Sequence, residues 1–313
     1  MRVRLEHAMK ATIIIPTLNT QPYLPRLMNM LQSQSITDNE IIVIDSQSED
    51  GTRQTASSLG ARVKMVKRDE FNHGRTRNVA SEGASGEYLV FLTQDALPVD
   101  ASLLENLVRP LEEDETIAVA YGRQIPYDHA RTIERFIRGF NYPEESRTRG
   151  REDIPELGVK TFFCSNACAI YRRDVFCRLG GFRDDTIMNE DMEFVYRAVM
   201  AGYKVHYAAD ARVFHSHDYT LAEQFRRYVD IGVFFANNQH IASCARNEEE
   251  GMKYLREAAS FLIRNRKTSE LPHLLLDSAA RFLGYRIGVN YRALPVGTMR
   301  RISMNRGYWT LHS

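Results

Sequence analysis

The sequence predicts an α/β fold with a mostly parallel central sheet, extended at its C-terminus by helices. Three observations predict it. Over the first hundred residues, short apolar segments alternate with segments of helical spacing. Each apolar segment runs into a polar loop: Pro16 to Asn19, Asp45 to Asp50, and Thr93 to Asp95. Beyond about residue 220, helical spacing dominates, so the expected division is 1–220 for a catalytic α/β domain and 221–313 for a helical region. In open α/β sheets, ligands sit outside the carboxyl ends of the strands, so the three loops are expected to meet at one crevice.

The elements follow in order. Ala11 to Ile15 is a buried strand closed by Pro16. Leu24, Leu27, Met28 and Leu31 give one apolar face to a helix over Tyr23 to Gln34. Glu40 to Asp45 is the second strand, and Asp50-Gly51-Thr52 opens a helix through Leu59. Val63 to Lys67 is the third strand, Thr76 to Glu82 a helix, and Tyr88 to Leu92 the fourth and most apolar strand. Leu103 to Leu111 is helical and Ala118 to Gly122 a strand. Arg131 to Pro155 is polar and reads as a mobile loop. Thr161 to Tyr171 has strand character, and Arg173 to Leu179 is a short helix stopped by Gly180-Gly181. Glu190 to Ala201 is a helix ended by Gly202, and Tyr203 to Tyr207 and Arg212 to Phe214 are two further strands. Helices are expected over Leu221 to Ala242, Glu248 to Arg264 and Leu271 to Tyr291.

Composition bounds the function. The chain has 313 residues, with Lys+Arg 41 against Asp+Glu 40. That balance argues against a protein built to coat nucleic acid. Cys164, Cys168, Cys177 and Cys244 form neither a disulfide framework nor paired zinc-site spacing, so free thiols in a reducing compartment are expected. No apolar run has the length of a signal peptide or of a membrane-spanning helix, which leads to a cytoplasmic expectation.

Several residues at the loop positions carry chemistry, each with a plainer structural use. Asp45 and Ser46 follow a strand and suit hydrogen bonds to a base or ribose, although capped loops of this kind are common. Asp95 follows the YLVFL strand, where a carboxylate suits a hard divalent cation; a helix cap is the alternative. Glu190 and Asp191 open a helix, whose dipole they complement and which is expected to keep a carboxylate ionised. An ionised carboxylate there suits a general base. His215 and His217 share one face if the strand continues, which fits metal ligation or a surface loop. Arg75 and Arg77 suit phosphate oxygens or a solvated loop.

Taken in order, these pieces resemble the family-2 inverting glycosyltransferases with the GT-A nucleotide-diphospho-sugar transferase fold. The carrying residues are IIIPTLN (Ile13 to Asn19), VIDSQSEDGT (Val43 to Thr52), FNHGRTRN (Phe71 to Asn78), FLTQDALP (Phe91 to Pro98), Gly180-Gly181-Phe182, NEDMEF (Asn189 to Phe194) and the His-x-His after Val213. The set spans roughly residues 10 to 220. FNHGRTRN and TQDALP are similar to the rhamnosyltransferase branch, which moves L-rhamnose from dTDP-β-L-rhamnose in bacterial surface-polysaccharide assembly.

The resemblance implies roles by position. Pro16, Leu18 and Asn19 line the nucleotide site, Asp45 contacts the base, and Ser46, Arg77, Asn78 and Gln94 belong to the donor-binding set. Asp95 corresponds to the last Asp of the DxD metal motif, with His215 or His217 completing metal or pyrophosphate binding. Asp191 corresponds to the catalytic base, beside Glu190. The implied cofactor is Mg²⁺ or Mn²⁺, and the implied partners are the nucleotide-sugar donor and a saccharide or polyprenyl-linked acceptor.

Two positions depart from the pattern. Thr93 replaces the first Asp of DxD, and Ser46 stands where many relatives carry an acid. A donor such as UDP-galactose, UDP-N-acetylglucosamine or GDP-mannose is the alternative reading, and a non-catalytic sugar-binding relative a more distant one. A dinucleotide oxidoreductase would need G-x-G-x-x-G after the first strand, where Pro16-Thr17-Leu18-Asn19 stands. From Ser278 to Ser313 the chain carries Arg281, Arg286, Arg292, Arg300, Arg301 and Arg306 but no Asp or Glu, interleaved with Phe282, Leu283, Tyr285, Ile287, Val289, Tyr291, Leu294 and Trp309. That mixture suits a membrane surface, so a peripheral position on the inner face of the cell membrane is expected.

Overall fold

The computed structural model describes residues 9–245 and 249–311. One sheet of nine strands organises the first two-thirds: β1 (Ala11–Thr17), β2 (Asn39–Asp45), β3 (Arg62–Met65), β4 (Tyr88–Leu92), β5 (Leu97–Pro98), β6 (Ile117–Ile125), β7 (Arg147–Arg149), β8 (Cys168–Arg172) and β9 (Lys204–Phe214). The order is β3-β2-β1-β4-β8-β6-β9-β5, with β7 beside β9. The β3-β2-β1-β4 half is parallel, as is the β6–β9 pair, while β8 runs antiparallel to both β4 and β6.

The apolar runs are strands because both faces of the sheet are covered. Ile14, Leu89 and Phe91 enter one core, whereas Ile13, Ile15, Val90 and Leu92 enter the core on the opposite face. Helices α1 (Leu24–Gln32), α2 (Thr52–Ser58), α3 (His73–Ser81) and α4 (Leu103–Glu113) connect the early strands. Helices α5 (Thr132–Asn141), α6 (Ile154–Leu157), α7 (Arg173–Arg178) and α8 (Glu190–Met200) follow among the later ones. The remainder is helical: α9 (Leu221–Asn237), α10 (Gln239–Ala242), α11 (Glu249–Arg264), α12 (Leu271–Val289), α13 (Val296–Ile302) and α14 (Arg306–Leu311).

Several expectations change. Pro16 does not close the first strand, which continues to Thr17. The β1–β4 ladder ends at Ile14 opposite Phe91, so the missing Pro16 N–H leaves no gap on that side. The third helix begins at His73, three residues before the expected start, because the Asn72 side chain accepts from the Gly74 and Arg75 N–H groups. Arg131 to Pro155 is not a loop but holds α5, β7 and α6. Its apolar signal is Ile133, Phe136, Ile137 and Phe140 at helical spacing, hidden by the Arg and Glu residues between them. Strand β8 starts only at Cys168, since Gly158–Phe162 forms a 3-10 turn. The two strands expected after Gly202 are one, bent where its register with β6 shifts between Gly122 and Arg123. The first C-terminal helix breaks at Asn238. The expected start of the next at Glu248, like Ser313 of the basic stretch, lies outside the described residues.

Candidate active site

Strand pairing builds the first cluster. Leu97 pairs with Phe214, which sets Asp95 against the segment just beyond β9. Ligand atoms of Asp95, His215 and His217 lie within 4.8 Å of one another. His215 Nε2 is 3.5 Å from one Asp95 oxygen and His217 Nε2 is 3.4 Å from the other. The backbone bond from His215 N to Ile125 O carries the β6–β9 pairing one residue further. Gln124 Oε1 stands 2.8 Å from His215 Nδ1, so a proton on Nδ1 leaves Nε2 its lone pair. Arg138 donates to the same Gln124 oxygen, and Gln124 Nε2 donates to Ser165 Oγ at 2.8 Å.

The titration of this cluster suits a cation. Burial, then the neighbouring His215, pushes His217 down to about 4, so its imidazole is neutral near pH 7. Burial acts to raise Asp95, but His215 and His217 outweigh it and hold the carboxyl well below the ordinary range. One carboxylate and two imidazole nitrogens are a donor set that fits a divalent cation.

The second cluster is the acid pair at the start of α8, where Asn189 takes a left-handed conformation with φ 58. Glu190 is buried and meets Arg77 Nη1 at 3.2 Å and the Asn166 amide at 3.0 Å. Burial opposes its ionisation, yet Arg77, His73 and Asn166 together hold it below the usual value. Asp191 accepts from the Asn166 N–H at 3.0 Å and the Met192 N–H at 2.8 Å. Burial first, and the Glu190 charge second, push Asp191 up to about 7. The helix start was expected to keep this carboxyl ionised; desolvation and a like charge one residue away outweigh it. The pair is thus split, with Glu190 held below the ordinary carboxylate value and Asp191 pushed up to about 7.

Both clusters open on one cavity of about 560 Å³, lined by Asp95, His215, His217, Arg77, Glu190 and Asp191 among others. Pro16, Leu18, Asn19, Asp45, Ser46 and Gln94 do not line it. Pro16 and Asp45 stand at the carboxyl ends of β1 and β2, and Leu18, Asn19, Ser46 and Gln94 in the loops that follow β1, β2 and β4. Those loops are laced together. Asp45 is fully buried and accepts from Thr17 Oγ1 at 3.1 Å, Ser48 N at 2.8 Å and Ser48 Oγ. Ser48 Oγ in turn receives the Asn19 N–H at 2.8 Å, and Asn19, at φ 51, receives the Glu49 N–H. Ser46 N donates to Thr17 O, and Gln94 Oε1 takes the Leu18 N–H at 2.8 Å.

Asn78 joins neither group. Its amide donates to Phe182 O at 2.7 Å and accepts from Phe182 N at 2.9 Å, clamping the Gly180-Gly181-Phe182 turn. A Cβ on Gly181, at φ 69, would meet Asn78 Oδ1 at 2.7 Å. Arg77 faces the cavity, but its charge is directed to Glu190 and its Nη1 to the His73 carbonyl. Sequence reasoning missed Gln124, Asn166 and Arg138 as members of the site. Gln124 had a signal, an amide that follows the apolar run IAVAY within one strand. Arg138 lay in the stretch taken for a loop, and Asn166 had no signal.

Comparisons with known proteins give the family and the fold. The profile described as glycosyl transferase family 2 matches residues 12–180. The chain is 40% identical over 304 residues to the O-antigen chain rhamnosyltransferase RfbN of Salmonella typhimurium, covering 96% of both. It is 40% identical over 301 residues to the O-antigen chain rhamnosyltransferase WbaN of Salmonella anatum, covering 95% of both. Among solved structures it is similar to the mannosyltransferase PcManGT from Pyrobaculum calidifontis in complex with GDP-Man and Mn²⁺. There the TM-score is 0.57 at 20% identity, covering 96% of this chain and 85% of that one. It is also similar to S. aureus TarS 1-349 in complex with UDP, with TM-score 0.52 at 18% identity, covering 91% and 92%. At these identities the structural likeness is one of fold alone, the GT-A fold expected from the sequence.

Proposed function

This chain belongs to glycosyl transferase family 2, and from that premise we propose that it moves L-rhamnose from dTDP-β-L-rhamnose onto a hydroxyl of a growing bacterial surface polysaccharide, with inversion. The observation that carries the reading is the shared cavity, in which Asp191, poised near neutral pH, faces the same space as Asp95, His215 and His217. The 40% identity to two named rhamnosyltransferases over nearly the whole chain supports rhamnose as the sugar.

In this reading Asp191 takes the proton of the acceptor hydroxyl as its oxygen attacks the anomeric carbon. A base with a pKa near the working pH suits that transfer. The new C–O bond forms on the face opposite the bond to the diphosphate, which breaks and releases dTDP, so a β-linked donor yields an α-rhamnoside. Glu190 does not take the proton; it raises Asp191 by its charge and is itself held by Arg77 and Asn166. Asp95, His215 and His217 would hold Mn²⁺ or Mg²⁺, which would supply positive charge toward the leaving diphosphate. The loops bearing Pro16, Leu18, Asn19, Asp45, Ser46 and Gln94 receive the nucleoside. The acceptor is a saccharide or a polyprenyl-linked glycan, and a lipid-linked acceptor suits a peripheral position at the inner face of the cell membrane.

The test is a donor screen with purified protein, Mn²⁺ and an acceptor glycan. dTDP-β-L-rhamnose should release nucleoside diphosphate and form an α-linkage. Turnover with UDP-galactose, UDP-N-acetylglucosamine or GDP-mannose but not with dTDP-rhamnose would overturn the donor assignment. A β-linked product would overturn inversion.

A further inference from the structure

One face of α12 is closed by glycine. A Cβ added at Gly288 would meet the Val229 carbonyl oxygen at 2.0 Å, and one at Gly284 the Phe225 carbonyl oxygen at 2.4 Å. Backbone against backbone at this distance fixes the rotation of α12 on α9. Leu274 and Asp277 complete the inward face, and Arg281 lies between the rings of Tyr228 and Tyr254.

The opposite face is therefore held outward, and it is apolar. Leu275, Leu276, Ala279, Phe282 and Leu283 recur at spacings of three and four residues along it, and Val289 follows one heptad after Phe282 with Arg286 between them. Leu275 is 64% exposed, Leu276 57%, Phe282 63% and Leu283 54%. At 1.5 Å per residue this stripe is about 21 Å long. Single exposed leucines need no explanation; a continuous stripe of them on a helix that cannot roll inward does.

The surroundings say what covers it. Arg264, Arg266, Lys267, Arg286, Arg300 and Arg301 are all exposed near the stripe in sequence. The two acids between residues 263 and 301 are occupied: Glu270 accepts from Thr132, and Asp277 is buried against Arg281. A second copy of the chain would bring like charges together, whereas an anionic lipid surface complements them. Among the described residues no helix is long and apolar enough to cross a membrane, so α12 lies on the surface rather than spanning it. We propose that the outward face of α12 is a membrane-docking element, its leucines and Phe282 entering the headgroup boundary and the flanking Arg and Lys pairing with anionic lipid. This rests on the membrane-side location proposed above and narrows it to one face. Arg281, Tyr285, Ile287 and Trp309, part of the basic aromatic stretch seen in the sequence, are instead used in packing.

The test is co-sedimentation of the full chain with vesicles of phosphatidylcholine alone or mixed with phosphatidylglycerol, at low and high salt. Wild type should bind the mixed vesicles and bind them less at high salt. Phe282→Ser with Leu283→Ser should weaken that binding by more than about tenfold, from the apolar area no longer buried. Arg300→Gln with Arg301→Gln should weaken it through charge and flatten its salt dependence. Both double variants should keep wild-type transfer to a water-soluble acceptor. Equal binding to both vesicle types, binding to neither, or a dimer that Phe282→Ser dissociates would overturn the proposal. Vesicle binding without any sugar transfer would count against the assigned activity and leave this proposal standing.

Discussion

Asp191→Asn separates the catalytic demand on this carboxyl from its structural cost. The substitution keeps the shape and removes the charge. The transfer rate should fall by roughly 10²- to 10⁴-fold, the usual contribution of a positioned base, with donor KM nearly unchanged. Stability should respond with a distinctive pH dependence. The folded pKa is raised to about 7 from the ordinary 3.8. The wild-type fold therefore bears no cost from this group below the unfolded pKa. The cost grows as pH rises through the interval and is complete above the folded pKa. One pKa unit corresponds to about 1.4 kcal/mol, so the full cost is at most about 4 kcal/mol. Asparagine escapes that cost but offers one oxygen where Asp191 uses two, on Asn166 N and Met192 N, and losing one such bond costs about 1–3 kcal/mol. At pH 5 the wild type already bears about 1.7 kcal/mol of that cost, so the two proteins should be of similar stability there, and the variant should gain roughly 2–3 kcal/mol on wild type between pH 5 and pH 8. Urea unfolding at the two pH values measures this, and single-turnover transfer measures the rate. A stability difference independent of pH would refute the raised pKa. Wild-type transfer would refute the base and turn attention to Glu190.

Chelation with EDTA should abolish transfer, and Mn²⁺ should restore it at lower concentration than Mg²⁺; full activity in EDTA would remove the metal role of Asp95, His215 and His217. Gln124→Leu takes away the acceptor on His215 Nδ1 and should weaken Mn²⁺ binding by about 10- to 100-fold, with turnover recovered at saturating metal. Arg77→Met strands Glu190 and should cost about 3–5 kcal/mol in denaturant unfolding, with Arg77→Lys recovering much of it. Asn78→Ala removes both bonds to Phe182 and should lower stability by about 2–3 kcal/mol while leaving donor KM alone; a raised KM with unchanged stability would return Asn78 to the donor site.

The strands β1, β2 and β4 were legible because burial on both faces turns a parallel strand into a continuous apolar run, and their polar ends marked the crevice. Helix α5 was not legible, because its Arg and Glu residues hide an apolar face that meets other C-terminal elements rather than the sheet: Phe136 packs on Tyr254 and Phe261. The chemical groups of the site were legible by residue type, but not their division of labour. Nothing in the string Asn189-Glu190-Asp191 tells which acid keeps its charge. That is decided by Arg77, 113 positions upstream, and by Asn166, 24 upstream of Glu190. Likewise, the sequence left the two histidines open to metal ligation or a surface loop, and only the pairing of β5 with the end of β9 brings Asp95 against them.

The helical region is part of this arrangement rather than an appendage to it. Asp230 on α9 is buried and accepts from Ser303 Oγ at 2.6 Å, Met304 N at 3.1 Å and Asn305 N at 2.9 Å, which stops the chain after α13 and aims Asn305 inward. Asn305 Oδ1 then meets His73 Nε2 at 3.3 Å, and the His73 carbonyl receives Arg77. The cavity wall that carries the ion pair with Glu190 is therefore closed by a segment more than two hundred residues away in sequence. The same α9 whose Asp230 holds that wall also carries Gly232 and Val229, against which α12 is pressed. One helix thus links the outward apolar face of α12 to the carboxyl pair of α8.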